Sequence, residues 1–553
     1  MKHLKNFQRS LWLIFMFICL IHGQNENKIS ITGKTSSKLC CIWSENDQTY
    51  ENITIINKTF PTFIVDDSTK IQSKYIEISS QHKSNEIKNL ELIKRSRYQS
   101  TVVKFLPVKI SEIFPNIASI TIKNFTISSV ERENLEYLKK LEYLNLENNE
   151  IESIDGDTFD DLVELKYLNL KGNKISEINK DWFANTKNLK WISFENNLLI
   201  STVIDENYDQ TTSEDEKNNE IIYKSAFDQV FSKLKYLEKV WLNINYISSI
   251  PKDIFNFNNK LQEIYLDKNM INEISQGAFD GLTELNILDI SSNQLRSLDK
   301  KLFNGLNNLK VLRLNDNQLK KLDENLLKNT TSLTEIDLNT NQISQIHENS
   351  FKNTKKLKAL NLGNNDLTNI EDKTFENLSE LTELNLNENH FKELNPKIFN
   401  SLKNLKILRL RKNKISSILP SVFKNLKLLE EIDLSENQLT KIPSKLFDSN
   451  LNLKIVQFYR NQITTISSEI FEKNSKLIVI DLLGNDCIDD KYSRRPSPLT
   501  TEQRNELKKK IDENCEHEDE EEEKNENTEN FAIIFKMSFV QILMSFLILN
   551  FLL

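Results

Sequence analysis

Few side chains in this 553-residue chain are placed for covalent or metal chemistry. Past residue 23 the histidines, His82, His347, His390 and His517, are scattered, and His347 and His390 have no second His or Cys nearby to complete a metal set. Gly33-Lys34-Thr35 matches the end of a phosphate-binding loop, but Lys28 stands where that motif requires Gly. Nine glycines leave no Gly-rich loop to cradle a phosphate elsewhere. Spacing suggests no nucleophile paired with a base. The expectation is a protein that is not an enzyme, with no catalytic residues, no metal and no cofactor. What remains is the chemistry of recognition. Tyr143, Tyr167 and Trp191 follow one another at a fixed interval of 24, and the same interval separates Trp241 from Tyr265. Tyr and Trp combine a large apolar surface with a polar handle and are enriched at binding hot spots, so these five are the candidate ligand contacts.

Their spacing belongs to a frame that runs through most of the chain. Asn recurs at the same interval, at Asn149, Asn173 and Asn197 and from Asn245 to Asn485, with a single step of 48 between Asn197 and Asn245. Around each lies a pattern such as Leu309-x-x-Leu312-x-Leu314-x-x-Asn317-x-Leu319, often with an apolar anchor eleven residues earlier, as Leu282 before Asn293. A fixed period of this length marks a leucine-rich-repeat solenoid. The L-x-L pair predicts a short strand, its Leu side chains inward and the intervening residues outward. The Asn amide has donors and an acceptor for the backbone groups freed where the chain leaves the strand, which predicts an Asn ladder. A second apolar column runs from Phe159 to Phe471 and is Phe at twelve of thirteen positions, Leu327 being the exception. That column predicts a spine of rings on the far side.

Residues flanking the strand leucines should face solvent. The five aromatics fall there on neighbouring strands, with Trp191 and Trp241 as anchors. Further along, the same columns turn to Asp289, Arg313, Asp337, Arg409 and Asp433, with Lys239, Glu263, Glu335, Glu383 and Glu431 beside them. Alternating charges of this kind are expected to form a solvated face. Packing of the aromatics against a cap or an insertion is the competing expectation.

The frame resembles the 24-residue class of extracellular leucine-rich repeats, as in Toll-type ectodomains, chaoptin-like adhesion proteins and insect immune repeat proteins. The resemblance covers about residues 117–485. It implies an α/β solenoid, a horseshoe with a parallel β-sheet on its concave face and a cap at each end. It also implies binding of a protein or glycan ligand and a signalling partner at the membrane. The uses left open are innate immune recognition, cell–cell adhesion and a matrix-organising structural role. Disulfide-linked dimers among the similar insect proteins imply a homodimer through Cys40 or Cys41.

The ends add expectations of location. Lys2, Lys5 and Arg9 followed by an apolar run at 11–21 predict a signal peptide over 1–23. Sequons place glycosylation at Asn52, Asn57, Asn124, Asn329 and Asn377, the last two sharing one phase on the convex side. Residues 24–116 break the frame and are expected to form an N-terminal cap. The repeats, about fifteen, occupy 117–486. Cys487 and Cys515 bracket a C-terminal cap over 487–515, with a short helix in the loop a disulfide would close. An acidic linker at 516–530 leads to an apolar segment at 531–553. A polar spacer and terminal apolar tail suit a lipid-anchor signal; the alternatives are a C-terminal transmembrane helix and a cleaved, secreted product. The net charge of −8 argues against nucleic acid as a partner. Much of it lies in that linker and in an acidic insertion near 203–222, which accounts for the 48-residue step and is expected to return through a helix at 221–230.

Overall fold

The computed structural model describes residues 114–201 and 229–516 continuously, together with Leu106, Phe227, the short helix Ile110–Ile113, the paired strands Thr202–Ile204 and Tyr223–Ser225, and short strands between Leu39 and Val103. The predicted signal peptide, Asn52, Asn57, the side chains of Cys40 and Cys41, the tip of the insertion at 205–222, and the linker and apolar segment past 516 lie outside the described residues. The chain divides into two compact units, Met1–Leu288 and Asp289–Leu553.

Both units are parallel-strand solenoids. In the first, strands Ser119–Lys123, Tyr143–Asn145, Tyr167–Asn169, Trp191–Ser193, Lys239–Trp241 and Glu263–Tyr265 pair side by side in one parallel sheet. Each residue faces its equivalent one period away, except that Trp191 faces Lys239 across the long step. In the second, eight strands from Val311–Arg313 to Val479–Asp481 repeat the arrangement. Inward leucines such as Leu144, Leu146, Leu312 and Leu314 are wholly buried, as the period-2 pattern requires. The Phe column is buried at every turn, with neighbouring rings 5.8–6.3 Å apart where they meet.

The ladder asparagines join each turn to the one before. Asn365 is typical: its Nδ2 donates to the carbonyls of Leu362 (3.1 Å) and Gly363 (3.0 Å) in its own turn and of Leu338 (3.0 Å) in the preceding one. Its Oδ1 accepts from the Ile343 amide at 2.9 Å. One buried amide thus satisfies backbone groups of two turns. The first turn has no ladder Asn, and there the Phe125 amide donates to Asn149 Oδ1 at 3.2 Å.

The residue before every ladder Asn takes a left-handed conformation, with φ between 50° and 72°. Gly fills this place only at Gly172 and Gly484. Ile244 is the bulkier of the two β-branched occupants, the other being Thr340, and such a side chain crowds its own backbone there by about 1–2 kcal/mol. Asn occupies the same place at Asn148, Asn196 and Asn364, so Ile244→Asn should stabilise the first unit by about 1 kcal/mol in urea unfolding. A neutral or negative result would show that the half-buried Ile244 side chain is worth more than the strain.

The ends of the sheet differ from the sequence expectation. The region expected only to cap the array extends the sheet: Asn89–Lys94 pairs in parallel with Ser119–Lys123, and Thr62–Val65 pairs with Asn89–Lys94. An antiparallel partner, Ile53–Ile55, precedes them. Asn89 meets its partner Ser119 at an interval of 30, so this turn falls outside the regular frame. The insertion also departs from expectation. Tyr223–Ser225 pairs as a strand with Thr202–Ile204, in place of the expected helix.

At the other edge Lys491–Ser493 runs antiparallel to Val479–Asp481 and ends the sheet. The helix Thr501–Asn514 opens with a capping box between Thr500 and Gln503 and buries Leu507 and Ile511. Cys487 and Cys515, with Cα atoms 5.0 Å apart, form a disulfide that closes the loop containing both elements. Among the described residues no helix is long and apolar enough to cross a membrane.

Candidate functional site

The five aromatics form one row across five adjacent strands of the first unit. Strand register sets their order. Tyr143, Tyr167 and Trp191 are aligned partners at the first strand position, and Trp241 and Tyr265 are partners at the third. The row crosses between columns where Trp191 meets Trp241, with ring centroids 6.3 Å apart. On either side the spacings are 6.2 Å for Tyr143–Tyr167, 4.9 Å for Tyr167–Trp191 and 5.6 Å for Trp241–Tyr265. The last pair is stacked within 4° of parallel, and Tyr167–Trp191 meet edge to face. At about 4.8 Å per strand, the row spans roughly 19 Å.

Trp191 is 39% exposed and the other four are half-buried. The rings lean on one another and still present a face to solvent. Polar groups fix their edges: Lys239 Nζ lies 4.8 Å from the Trp191 ring centroid and 2.7 Å from Glu263, and the Tyr265 hydroxyl donates to Glu263 at 3.0 Å. Asn145 Nδ2 donates to the Tyr143 hydroxyl at 3.3 Å. A rigid apolar strip with satisfied polar edges can take a sugar ring or an apolar side chain with little ordering cost. The hairpin that begins the insertion is rooted away from this row. Its root, Ser201, lies past the ladder Asn197, where its hydroxyl accepts from the amides of Ser248 and Ser249, both at 2.8 Å.

The second unit turns charged at the equivalent strand positions. Arg313 lies 3.6 Å from Asp289 and 3.1 Å from Glu335, and Arg409 bridges Glu383 and Glu431. These ion pairs engage both arginines with Asp289, Glu335, Glu383 and Glu431, and Asp337 and Asp433 belong to none of them. Burial holds the Asp337 carboxyl above its ordinary range, against a backbone hydrogen bond from Asn339 that opposes the shift. A raised carboxyl pKa makes the ionised form a cost to folding. That cost is absent below the usual carboxylate range and grows as pH rises through the folded-state value. Asp337→Asn should therefore raise the melting temperature at pH 7 and lose that advantage near pH 4. A gain independent of pH would point to a cause other than the charge.

Sequence reasoning read the two columns inside each strand and missed the column two residues before each ladder Asn. There Arg411, Ser435, Tyr459 and Leu483 line a cleft of about 250 Å³ with Asp433, Gln457, Asp481 and Lys491. The same 24-residue phase would have found the first four; Lys491 lies outside the frame. Of the predicted glycan sites, Asn124 has φ 68° on the ridge, with Oδ1 accepting from Asn148. Asn329 donates to Asn304 at 3.1 Å, and it and Asn377 are half-buried beside the Phe column.

Sequence and structure comparisons agree with this architecture. A family model described as BspA type Leucine rich repeat region matches residues 220–358 and 344–478, and a second, Leucine rich repeat, matches 115–175. No curated protein matches the chain. Among solved structures it is similar to Toll in the glycosylated Toll–Spatzle complex of Drosophila, at 19% identity and a TM-score of 0.59, over 82% of this chain and 63% of that one. A leucine-rich-repeat protein of Leptospira interrogans gives 22% and 0.52, over 79% of this chain and 97% of that one. TLR13, in its complex with ssRNA13, gives 22% and 0.52, over 72% of this chain and 51% of that one. The chain spans about half the length of TLR13 and less than two thirds of that of Toll. At these identities the likeness is one of fold. Repeats and fold together make this chain a leucine-rich-repeat solenoid.

Proposed function

We propose that this chain is a non-enzymatic ligand-binding protein of the extracellular surface, and that Tyr143, Tyr167, Trp191, Trp241 and Tyr265 are its ligand contact. The observation that carries this reading is the unbroken row of five interlocked rings on the strand face of the first unit, with Trp191 the most exposed. Core packing does not require aromatics there, because the equivalent positions of the second unit hold Glu335, Ala359, Glu383 and Asn385. Secretion, glycosylation and a lipid anchor are inferred from the sequence signals at 1–23, the sequons and 516–553. Neighbours of this fold include Toll in complex with Spatzle and TLR13 in complex with ssRNA, so the scaffold serves recognition elsewhere. The role proposed is recognition or co-reception in innate immunity, with a signal passed through a partner at the membrane.

The test uses the purified protein as a labelled probe on a panel of microbes and on cells displaying the same chain. Trp191→Ala with Trp241→Ala should weaken staining of microbes about 30-fold or more, since a hot-spot residue contributes about 2 kcal/mol or more. Thermal unfolding of the double variant should stay cooperative. Undiminished staining would refute the site, and aromatic-dependent staining of the displaying cells instead would make the protein an adhesion molecule.

A further inference from the structure

We propose that the cleft at the end of the second unit's sheet is a separate binding site for an organic cation, the ammonium or guanidinium of a Lys or Arg side chain on a protein ligand. Its floor is Asp433, Gln457 and Asp481, aligned partners on three adjacent strands. Arg411, Ser435, Tyr459 and Leu483 line the next row, and Lys491, on the antiparallel strand that ends the sheet, stands beside Asp481.

The charges in this cleft are not evenly matched. Lys491 Nζ lies 2.5 Å from Asp481, and Arg411 gives its hydrogen bonds to Glu436. Both cations lining the cleft are therefore engaged. Arg411 feels the Asp433 charge through space, yet forms no hydrogen bond to it. Asp433 is 8% exposed, and among the described residues its carboxylate accepts only the Ser435 backbone amide, at 2.9 Å. The Ser435 hydroxyl is buried, at 2% exposure for the residue, and has no partner among them.

The repeat array supplies its own control. Asp289 and Ser291 hold the same two places in an earlier turn. There the Ser291 hydroxyl donates to Asp289 at 2.6 Å, and Arg313 of the next strand approaches that carboxylate to 3.6 Å. Around Asp433 neither partner is in place. The next strand offers neutral Gln457, and Arg409 on the preceding strand turns to Glu383 and Glu431. A buried carboxylate without a cation and a buried hydroxyl without a partner are each unfavourable, and one incoming N–H cation satisfies both.

The remaining walls suit a long basic side chain. Tyr459 and Leu483 can pack along its methylene stem, and the Gln457 amide oxygen can accept a further N–H. A volume of about 250 Å³ takes one such side chain and excludes a helix. An anion would find both lining cations already engaged. A hard metal ion needs several oxygens, and Asp481 is already held by Lys491.

The test is saturation-transfer NMR on the secreted protein with acetyl-Gly-Arg-Gly-amide, its Lys counterpart, its neutral citrulline counterpart and putrescine. The Arg and Lys peptides should bind, with the citrulline peptide roughly tenfold weaker. Asp433→Asn should abolish the difference, Ser435→Ala should weaken the Arg peptide about threefold, and Trp191→Ala with Trp241→Ala should change nothing. Asp433→Asn removes a buried charge, so it should fold at least as well as the parent, which a melting curve checks. Equal binding of the citrulline peptide, full binding by the Asp433→Asn protein, or no binding of either basic peptide would overturn the proposal. Binding of putrescine alone would overturn the assignment to a protein side chain.

Discussion

Asn389→Ala should destabilise the second unit by about 3–5 kcal/mol, one of the two largest single-substitution effects expected in this chain. The side chain is 2% exposed, so water cannot replace what is lost. Its amide donates to Leu362, Leu386 and Asn387 carbonyls at 2.9, 3.2 and 3.1 Å and accepts from the Leu367 amide at 3.0 Å. Alanine leaves the Leu367 amide buried and unpaired, at about 1–3 kcal/mol. It also removes one of the two donors on each carbonyl, which keep Asn365 Nδ2, Asn413 Nδ2 and the Asn364 amide respectively, at about 0.5–1.5 kcal/mol for each bond lost. Urea unfolding gives the magnitude, and hydrogen exchange at the Leu367 amide gives the location. Protection there should fall in the variant while the Leu144 strand of the first unit keeps its own. A loss below about 1 kcal/mol would mean that the ladder is not what ties one turn to the next.

Phe423→Ala should cost a similar amount, about 3–5 kcal/mol, for a different reason. Phe423 is wholly buried between Phe399 at 6.0 Å and Phe447 at 6.2 Å, so its removal opens a cavity inside the ring column. Phe423→Leu is the informative partner. Leu327 already occupies this column, 1% exposed, which shows that a turn can close around the smaller side chain. Its cost should stay under about 1.5 kcal/mol. If the two substitutions cost the same, the stacking of rings would matter more than the volume they fill.

How much of this was legible in the sequence depends on the period. Strand positions, the ladder and the Phe column share one phase, and the structure places Leu144, Asn365 and Phe423 in the roles their spacing gave them. The aromatic row was legible for the same reason, since register turns a fixed sequence interval into adjacency on the sheet. The change of column was legible too, but the ring contact that keeps the row unbroken there was not, because it depends on how Trp191 and Trp241 lean toward each other. The period failed where the geometry was irregular. Asn89–Lys94 joins the sheet at an interval of 30, so no fixed frame could include it. The place eleven residues before the ladder, often apolar, is instead Thr at Thr186, Thr330 and Thr354 and Asn at Asn258, Asn450 and Asn474, the three asparagines donating to buried carbonyls. Nor could spacing show that Asp433 lacks the partners Asp289 has. That difference lies in side-chain rotamers and in one neutral neighbour, Gln457.

Except at Asn245, which follows the long step, ladder asparagines such as Asn365, Asn389 and Asn413 meet the preceding turn through the same atoms at the same offsets, and that has a consequence for heredity. A recombination event that adds or deletes one whole period of codons between misaligned copies leaves the flanking turns with the bonds they had. Gain or loss of one codon inside a strand would instead turn the rest of that strand's side chains to the opposite face. Copy number is therefore the direction in which this chain can vary most freely. The 48-residue step takes up its extra sequence past Ser201, beyond the ladder, where added codons do not shift the register of Trp191 against Lys239.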